Sequence, residues 1–287
     1  MKTINSPLLS RRRFLQLLGG SVLGAVGLYA YGRVLEPNWI DLEQITLTVP
    51  NLPERLAGLR IAQISDIHLS EYTSPEKLFS VTRWINQLAP DFVMLTGDFV
   101  GKRAEDAAGL VDPLRTLQMP AYAVYGNHDL WTDRGTVKKF LQEGGVTILT
   151  NEATEVAGGL YLAGLDDLWS GHPDLRAALR NVPAEAPTLL MVHEPDYIDR
   201  VVATNAPVAV QFSGHTHGGQ VRIPLWDGER VRIHAPVLPR YGERYPIGYQ
   251  SVSYSAVYTN RGLGLWPLPF RFNCRPELSL FTLRPSV

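Results

Sequence analysis

The chain has 287 residues, 45% of them apolar and 19% charged, which allows one large domain or two modest ones with a packed core and excludes a disordered chain. Net charge is −1; Lys2, Arg11, Arg12, Arg13 and Arg33 against Glu36 make residues 1–40 net +4 and leave −5 on the remainder, a balance that argues against nucleic-acid binding. The one cysteine, Cys274, excludes an intrachain disulfide and a Cys-rich zinc site.

The chain opens with Ser10-Arg11-Arg12-Arg13-Phe14-Leu15-Gln16 and an apolar, Gly-rich run from Leu17 to Tyr31. A basic start before an apolar stretch is signal-peptide architecture. The paired arginines, with Phe14-Leu15 two places on, resemble the twin-arginine export signal, with Gln16 where Lys is usual. The alternative is an ordinary anchor helix with basic flanks, because the run is borderline for spanning a bilayer. No clean cleavage site follows; Ala25-Val26-Gly27 is the nearest. Residues 1–32 are therefore read as a twin-arginine-type signal peptide or membrane anchor, cleaved or retained. Its partner would be the export machinery. The active domain is then expected on the outer (periplasmic or cell-wall) side of the cytoplasmic membrane, exported across it or anchored to it.

Residues 33–58 read as a connector and an edge strand, with Ile45 to Val49 alternating before Pro50 and Pro53. Residues 59–287 read as one domain that alternates strand and helix. Strands are expected at 60–65, 91–96, 121–125, 146–149, 159–165, 188–192 and 208–212. Helices are expected at 75–88, 105–117, 134–143, 172–180 and 197–203. Ser74 as N-cap and Pro75 at the first helical position mark the start of the first of these, and Leu78, Val81, Ile85 and Leu88 form its apolar stripe. After Gly214 the sequence is β-rich to the end, with strands at 253–259 and 277–283. The class is α/β.

Five of the apolar strands end in polar clusters, the place where open α/β folds bind ligands. These are Asp66-Ile67-His68, Gly97-Asp98, Gly126-Asn127-His128-Asp129, His193 and Gly214-His215-Thr216-His217. Carboxylate and imidazole without thiolate suit Mn, Fe or Zn. The spacing of two in Asp66/His68 and His215/His217 would put each pair on one face of a strand. Gly97, Gly126 and Gly214 would let the backbone turn tightly. Singly these are turns or a buried core histidine; as an ordered set in one domain they point to a metal site.

This ordered set resembles the calcineurin-like metallophosphoesterases over about residues 59–220. With the export signal, Gly218-Gly219-Gln220 and Asn260 to Gly264, it is similar to the twin-arginine-exported bacterial branch. The resemblance implies a four-layer α/β/β/α sandwich of two mixed sheets flanked by helices. It implies two divalent metal ions (Mn, Fe or Zn, with Mn favoured). Asp66, His68 and His217 would bind one ion and Asn127, His193 and His215 the other, with Asp98 bridging. His128 would be catalytic, and Asp129 would orient it. The implied reaction is phosphoester hydrolysis by attack of a metal-bridging hydroxide on phosphorus, on a diester or monoester that is possibly lipid-linked. The alternatives are a pyrophosphatase acting on a nucleotide-linked lipid such as UDP-diacylglucosamine, and a non-catalytic scaffold of the same fold.

Other features stay outside the set. One of Asp166 and Asp167 is expected to close a turn, and His172 and His234 to be structural or solvent-facing. Residues 220–250 interleave Trp226, Tyr241, Tyr245 and Tyr249 with five arginines. They form either a lid for an anionic, partly apolar substrate or a β-rich surface loop. Trp266, Phe270 and Phe272 belong to the core or to a membrane-facing patch.

Overall fold

The computed structural model describes residues 10–286. Residues 1–9 of the expected signal segment, Lys2 among them, and Val287 lie outside the described residues. In chain order the elements are α1 (Arg11–Ala30), β1 (Asp41–Val49), β2 (Arg60–Ile64), α2 (Pro75–Leu88), β3 (Phe92–Thr96), α3 (Val111–Arg115), β4 (Ala121–Val124), α4 (Asn127–Thr132), α5 (Arg134–Glu143), β5 (Thr147–Ile148), β6 (Glu152–Ala157), β7 (Leu160–Gly164), α6 (Leu175–Leu179), β8 (Thr188–Met191), α7 (Ile198–Ala203), β9 (Val210–Ser213), β10 (Ile223–Trp226), β11 (Val231–His234), β12 (Gly248–Val252), β13 (Ser255–Thr259) and β14 (Glu277–Pro285).

Two six-stranded mixed sheets form the centre. The first runs β1-β14-β2-β3-β4-β5 and the second β12-β13-β9-β8-β7-β6. β2, β3, β4 and β5 are parallel neighbours, as are β7, β8, β9 and β13. Strand alternation sorts the side chains. On β3, Phe92 and Met94 enter the core between the sheets, against Leu162, Met191 and Phe212. Val93 and Leu95 point the other way, onto Leu78, Val81 and Ile85 of α2 and Val137 and Leu141 of α5. On the far side of the second sheet Leu190 and Val257 pack against Ala178, Ile198 and Val201. Three apolar layers separating helix, sheet, sheet and helix make the four-layer sandwich expected. Each large buried apolar side chain contributes roughly 1.5–3 kcal/mol.

Helix α2 keeps its expected bounds. It stops where Ala89 turns left-handed (φ 47°) and donates to Ile85 and Asn86, just before Pro90. The helix expected at 105–117 instead breaks into a 3-10 segment, Ala104–Leu110, and the short α3. Gly109 and Pro113 lie within it and weaken a continuous helix. The helix expected at 172–180 starts only at Leu175, because Asp174 caps it by accepting from Ala177 N at 2.9 Å. Strand β6 was not expected. It is an edge strand with no buried residue, so its sequence lacks an apolar face. β1 is the edge strand of the first sheet, begins at Asp41, and pairs in parallel with β14.

Helix α1 stands apart, with no buried residue along its 20 residues. It is long and apolar enough to cross a membrane, a property shared by signal sequences.

Candidate metal centre

The site sits where β2, β3, β4, β8 and β9 end. Backbone pairing continues past the strands: Asp66 N donates to Gly97 O at 3.0 Å and His68 N to Asp98 O at 3.0 Å. The ends of β8 and β9 pair in the same way, Gly214 N donating to His193 O at 3.0 Å, and the two sheets are linked by His215 N donating to the Asp66 carboxylate at 3.0 Å.

The pairs with a spacing of two do not lie on a strand face. Asp66, His68, Asp98, His215 and His217 all have left-handed backbones, with φ from 45° to 71°. Their side chains converge because the chain coils there, a conformation that costs on the order of 1–3 kcal/mol per residue and clusters at functional sites. The glycines also differ from expectation. Only Gly97 has positive φ (93°), whereas Gly126 and Gly214 are needed because a Cβ would overlap Asp98 Oδ1 and Ser65 Oγ respectively.

Three groups of donor atoms lie mutually within 4.8 Å: Asp66, His68 and His217; Asp98, His193 and His215; and His68, Asp98 and His128. All are buried. Asp98 Oδ2 lies 3.4 Å from His68 Nε2 and 3.2 Å from His193 Nε2, so it spans the first two groups. Its Oδ1 accepts from His128 N at 2.9 Å. Asp66 Oδ1 is 3.5 Å from His217 Nε2.

Backbone carbonyls set the imidazoles. His68 Nδ1 faces Val100 O at 3.3 Å, His193 Nδ1 faces Thr96 O at 2.6 Å, and His215 Nε2 faces Arg240 O at 2.8 Å. A carbonyl only accepts, so each of these nitrogens carries a hydrogen and the other ring nitrogen is the one turned to the site. Asn127 Oδ1, His193 Nε2 and His217 Nδ1 are buried without a hydrogen-bond partner, and His68 Nε2 meets His217 Nε2 at 3.1 Å. Buried polar atoms left unsatisfied are costly. Oxygen and imidazole donors crowded in this way fit two divalent cations.

The electrostatics agree with that fit. Burial keeps His68 and His215 down at about 3 and His217 well below its ordinary value, so all three are neutral at pH 7. Burial also opposes charge on His193, but the Asp98 and Asp66 carboxylates override it and hold its pKa well above 6.5. Asp98 is likewise buried, yet His193 and His128 hold its carboxyl well below the usual range. Burial, reinforced by Asp98, pushes Asp66 up to about 6. A protonated His193 between two carboxylates is a cation standing where a metal would stand.

The carboxylate next to His128 in sequence serves the Asp98 loop instead. Asp129 does not orient His128. Its carboxylate accepts from Asp98 N at 3.0 Å, Phe99 N at 2.8 Å and Gly126 N at 2.9 Å. The α4 turn points it back at the Asp98 loop, while His128 Nδ1 donates to Gly101 O at 2.8 Å. Burial and the charge of Asp98 push Asp129 up to about 8. Asp166 and Asp167 both close the loop after β7, accepting from His172 N and Ser170 N. His172 and His234 are exposed.

The site opens into a cleft of about 330 Å³ bordered by Trp131, Trp169, Trp266 and residues 236–239. Trp266 is neither core nor lipid patch: its ring centroid lies 4.5 Å from that of His128 and 5.9 Å from that of His68. Trp131 is 4.8 Å from His128 and Trp169 5.7 Å from His215. Sequence reasoning missed Trp131 and Trp169. Recognition of α4 would have placed Trp131 one turn from His128; Trp169 carried no such signal. Buried Arg271 holds the wall in place, donating to the carbonyls of Arg261, Gly262, Gly264 and Cys274. Gly264 N in turn donates to Asp66 O at 2.7 Å.

A family model described as calcineurin-like phosphoesterase matches residues 59–219. The chain is 36% identical to the uncharacterized metallophosphoesterase YkuE of Bacillus subtilis, over 97% of this chain and 99% of that one. It is 32% identical to phosphodiesterase YaeI of Escherichia coli, over 96% and 100%. It is 26% identical to UDP-2,3-diacylglucosamine pyrophosphatase LpxG of Chlamydia trachomatis, over 88% and 92%.

Proposed function

The chain belongs to the calcineurin-like phosphoesterases, and from that premise we propose that it is a dinuclear metal-dependent phosphodiesterase or phosphomonoesterase. The observation that carries this reading is the position of Asp98 Oδ2 between His68 and His193. In the proposed assignment Asp66, His68 and His217 would hold one cation and Asn127, His193 and His215 the other, with Asp98 shared between them. Two such cations, Mn favoured, would supply Lewis acidity to the phosphoryl oxygens and a nucleophile near neutral pH.

The protein's own groups do the rest. The Gly101 carbonyl takes the Nδ1 hydrogen of His128, so Nε2 is the ring atom that meets the substrate. With the ring protonated, Nε2 donates to a phosphoryl or leaving-group oxygen. The tryptophans limit water in the cleft and offer flat apolar surface to the leaving group. Among the described residues that line the cleft there is no Lys or Arg, and the nearest recorded cation, Lys102 Nζ, stands over the Trp266 ring at 5.8 Å; this favours a substrate with little negative charge beyond the phosphoryl group the cations would take. The similarity to LpxG supports a second reading, cleavage of a lipid-linked pyrophosphate; export would separate the enzyme from a cytoplasmic pool of such substrates.

The paired arginines at the start of α1 and the exposure of that whole helix support export by the twin-arginine route, with α1 as signal or retained anchor and the active domain on the outer side. The test is a metal-supplemented hydrolysis screen across monoesters, diesters, lipid phosphates and a nucleotide-linked lipid. Cleavage that requires metal supports the reading. No turnover with Mn, Fe or Zn would make the chain a scaffold of this fold.

A further inference from the structure

Strands β10 and β11 form a hairpin that pairs with no other described strand. In its register Ile223 faces His234, Pro224 faces Ile233, Leu225 faces Arg232 and Trp226 faces Val231. Cross-strand partners share a face, and faces alternate along the strand. One face therefore carries only Pro224, Trp226, Val231 and Ile233. The other mixes Ile223 and Leu225 with Arg232 and His234. Every one of these residues is exposed, Trp226 by 67%. A two-stranded hairpin is marginal alone in water, and an all-apolar exposed face on one marks a contact surface.

Its attachment indicates the partner. Arg271 N donates to Gly32 O at 2.9 Å; on the next residue, Arg222 N donates to Phe272 O at 2.9 Å and Val221 bridges to Phe272. Segment 271–272 thus holds the end of the α1 connection on one side and the base of the hairpin on the other. Two chains flanking a central one lie on the order of 10 Å apart. Gly32 lies in the π-helical turn Tyr31–Leu35 that continues α1 without a break, and β10 begins two residues after Val221. At its base, where His234 pairs with Ile223, the hairpin runs on into residues 236–239, which border the cleft. The helical run Arg11–Asn38, of which α1 is the first part, is long and apolar enough to cross a bilayer core of about 30 Å. A bilayer that takes α1 brings its surface to the hairpin base and the cleft mouth together.

We propose that the β10–β11 hairpin docks on the membrane interface, with Pro224, Trp226, Val231 and Ile233 in the acyl boundary, and that the cleft takes a lipid-linked phosphoester from that surface. Tryptophan on an apolar face suits this depth. The substrate half of this proposal rests on the phosphoesterase reading; the docking half does not.

The test uses the full chain reconstituted in phosphatidylcholine–phosphatidylglycerol vesicles. Trp226→Cys is labelled with bimane; the native Cys274 is buried. Docking predicts blue-shifted emission, quenched by lipids brominated on their acyl chains. Aqueous, unquenched emission overturns it, as does an emission shift that depends on protein concentration without lipid, which would make the occupant a second copy. In a second arm, Trp226→Ser/Ile233→Ser is compared with the parent chain on bis(p-nitrophenyl) phosphate in solution and on phosphatidyl-p-nitrophenol in vesicles. The expected result is a fall of about tenfold on the embedded ester and less than about twofold on the soluble one. Equal falls on both, or no fall on either, overturn the proposal. If the parent chain cleaves neither ester, the phosphoesterase reading fails while bimane depth still decides docking.

Discussion

Asp98 Oδ2 lies 3.2 Å from His193 Nε2, and 3.4 Å on its other side stands His68 Nε2. One carboxylate oxygen thus serves donor groups carried by the two different sheets. Asp98→Ala is predicted to lose both metal ions, read by elemental analysis of the purified protein. The fold should survive with a loss of about 1–3 kcal/mol, because His128 N loses its buried acceptor while core packing is untouched. Unchanged metal content would refute the bridge.

His128 lies in the cleft with Nδ1 committed to Gly101, although it is also within ligand distance of His68 and Asp98. His128→Ala is predicted to keep the full metal content and lower kcat by about 10²–10⁴-fold. Loss of an ion in this variant would make His128 a ligand instead.

Asp129 is predicted to act on stability and metal affinity through the Asp98 loop. Asp129→Ala leaves three buried backbone N–H groups unpaired, at about 1–3 kcal/mol each. A loss of about 3 kcal/mol or more is expected in urea unfolding, with metal affinity down about 10–100-fold. Asp129→Asn, which retains a carbonyl acceptor, should recover part of both. A variant with normal stability and slowed turnover alone would restore Asp129 to the role of orienting His128.

The metal-free site should bind protons where it would bind metal. His193, buried but held well above 6.5 by Asp98, is protonated at neutral pH, so a metal must displace that proton. Affinity is therefore predicted to rise with pH, about tenfold per unit from pH 6.5 until the folded pKa of His193 is passed. Below about pH 6, Asp66 also takes up a proton and the slope steepens. His68 and His215, down at about 3, add no competition in this range. Calorimetry in buffers of different ionisation heat should count at least one proton released per chain. A pH-independent affinity would contradict the arrangement.

The strand ends were legible because parallel strands in an α/β sheet are short apolar runs, and each here is followed at once by the polar group that faces the site. Helix α2 was legible to the residue, since Ser74, Pro75 and the Leu78-Val81-Ile85 stripe are local signals. The backbone geometry was not. A spacing of two suggested strand faces, yet Asp66, His68, His215 and His217 adopt left-handed conformations that residue type does not announce. The role of Asp129 was hidden because adjacency to His128 in sequence says nothing of the direction that α4 gives its side chain. Trp131, Trp169 and Trp266 come from three separated segments, and only tertiary closure makes them one wall.

The central claim is that two cations on these residues hydrolyse a phosphoester. Its most direct test is to add Mn²⁺ stepwise to the metal-free full chain and follow hydrolysis of bis(p-nitrophenyl) phosphate and its monoester. The account predicts activity that climbs to a plateau at about two ions per chain and is absent from Asp98→Ala. A plateau at one ion, or no hydrolysis of either ester at full loading, would contradict it.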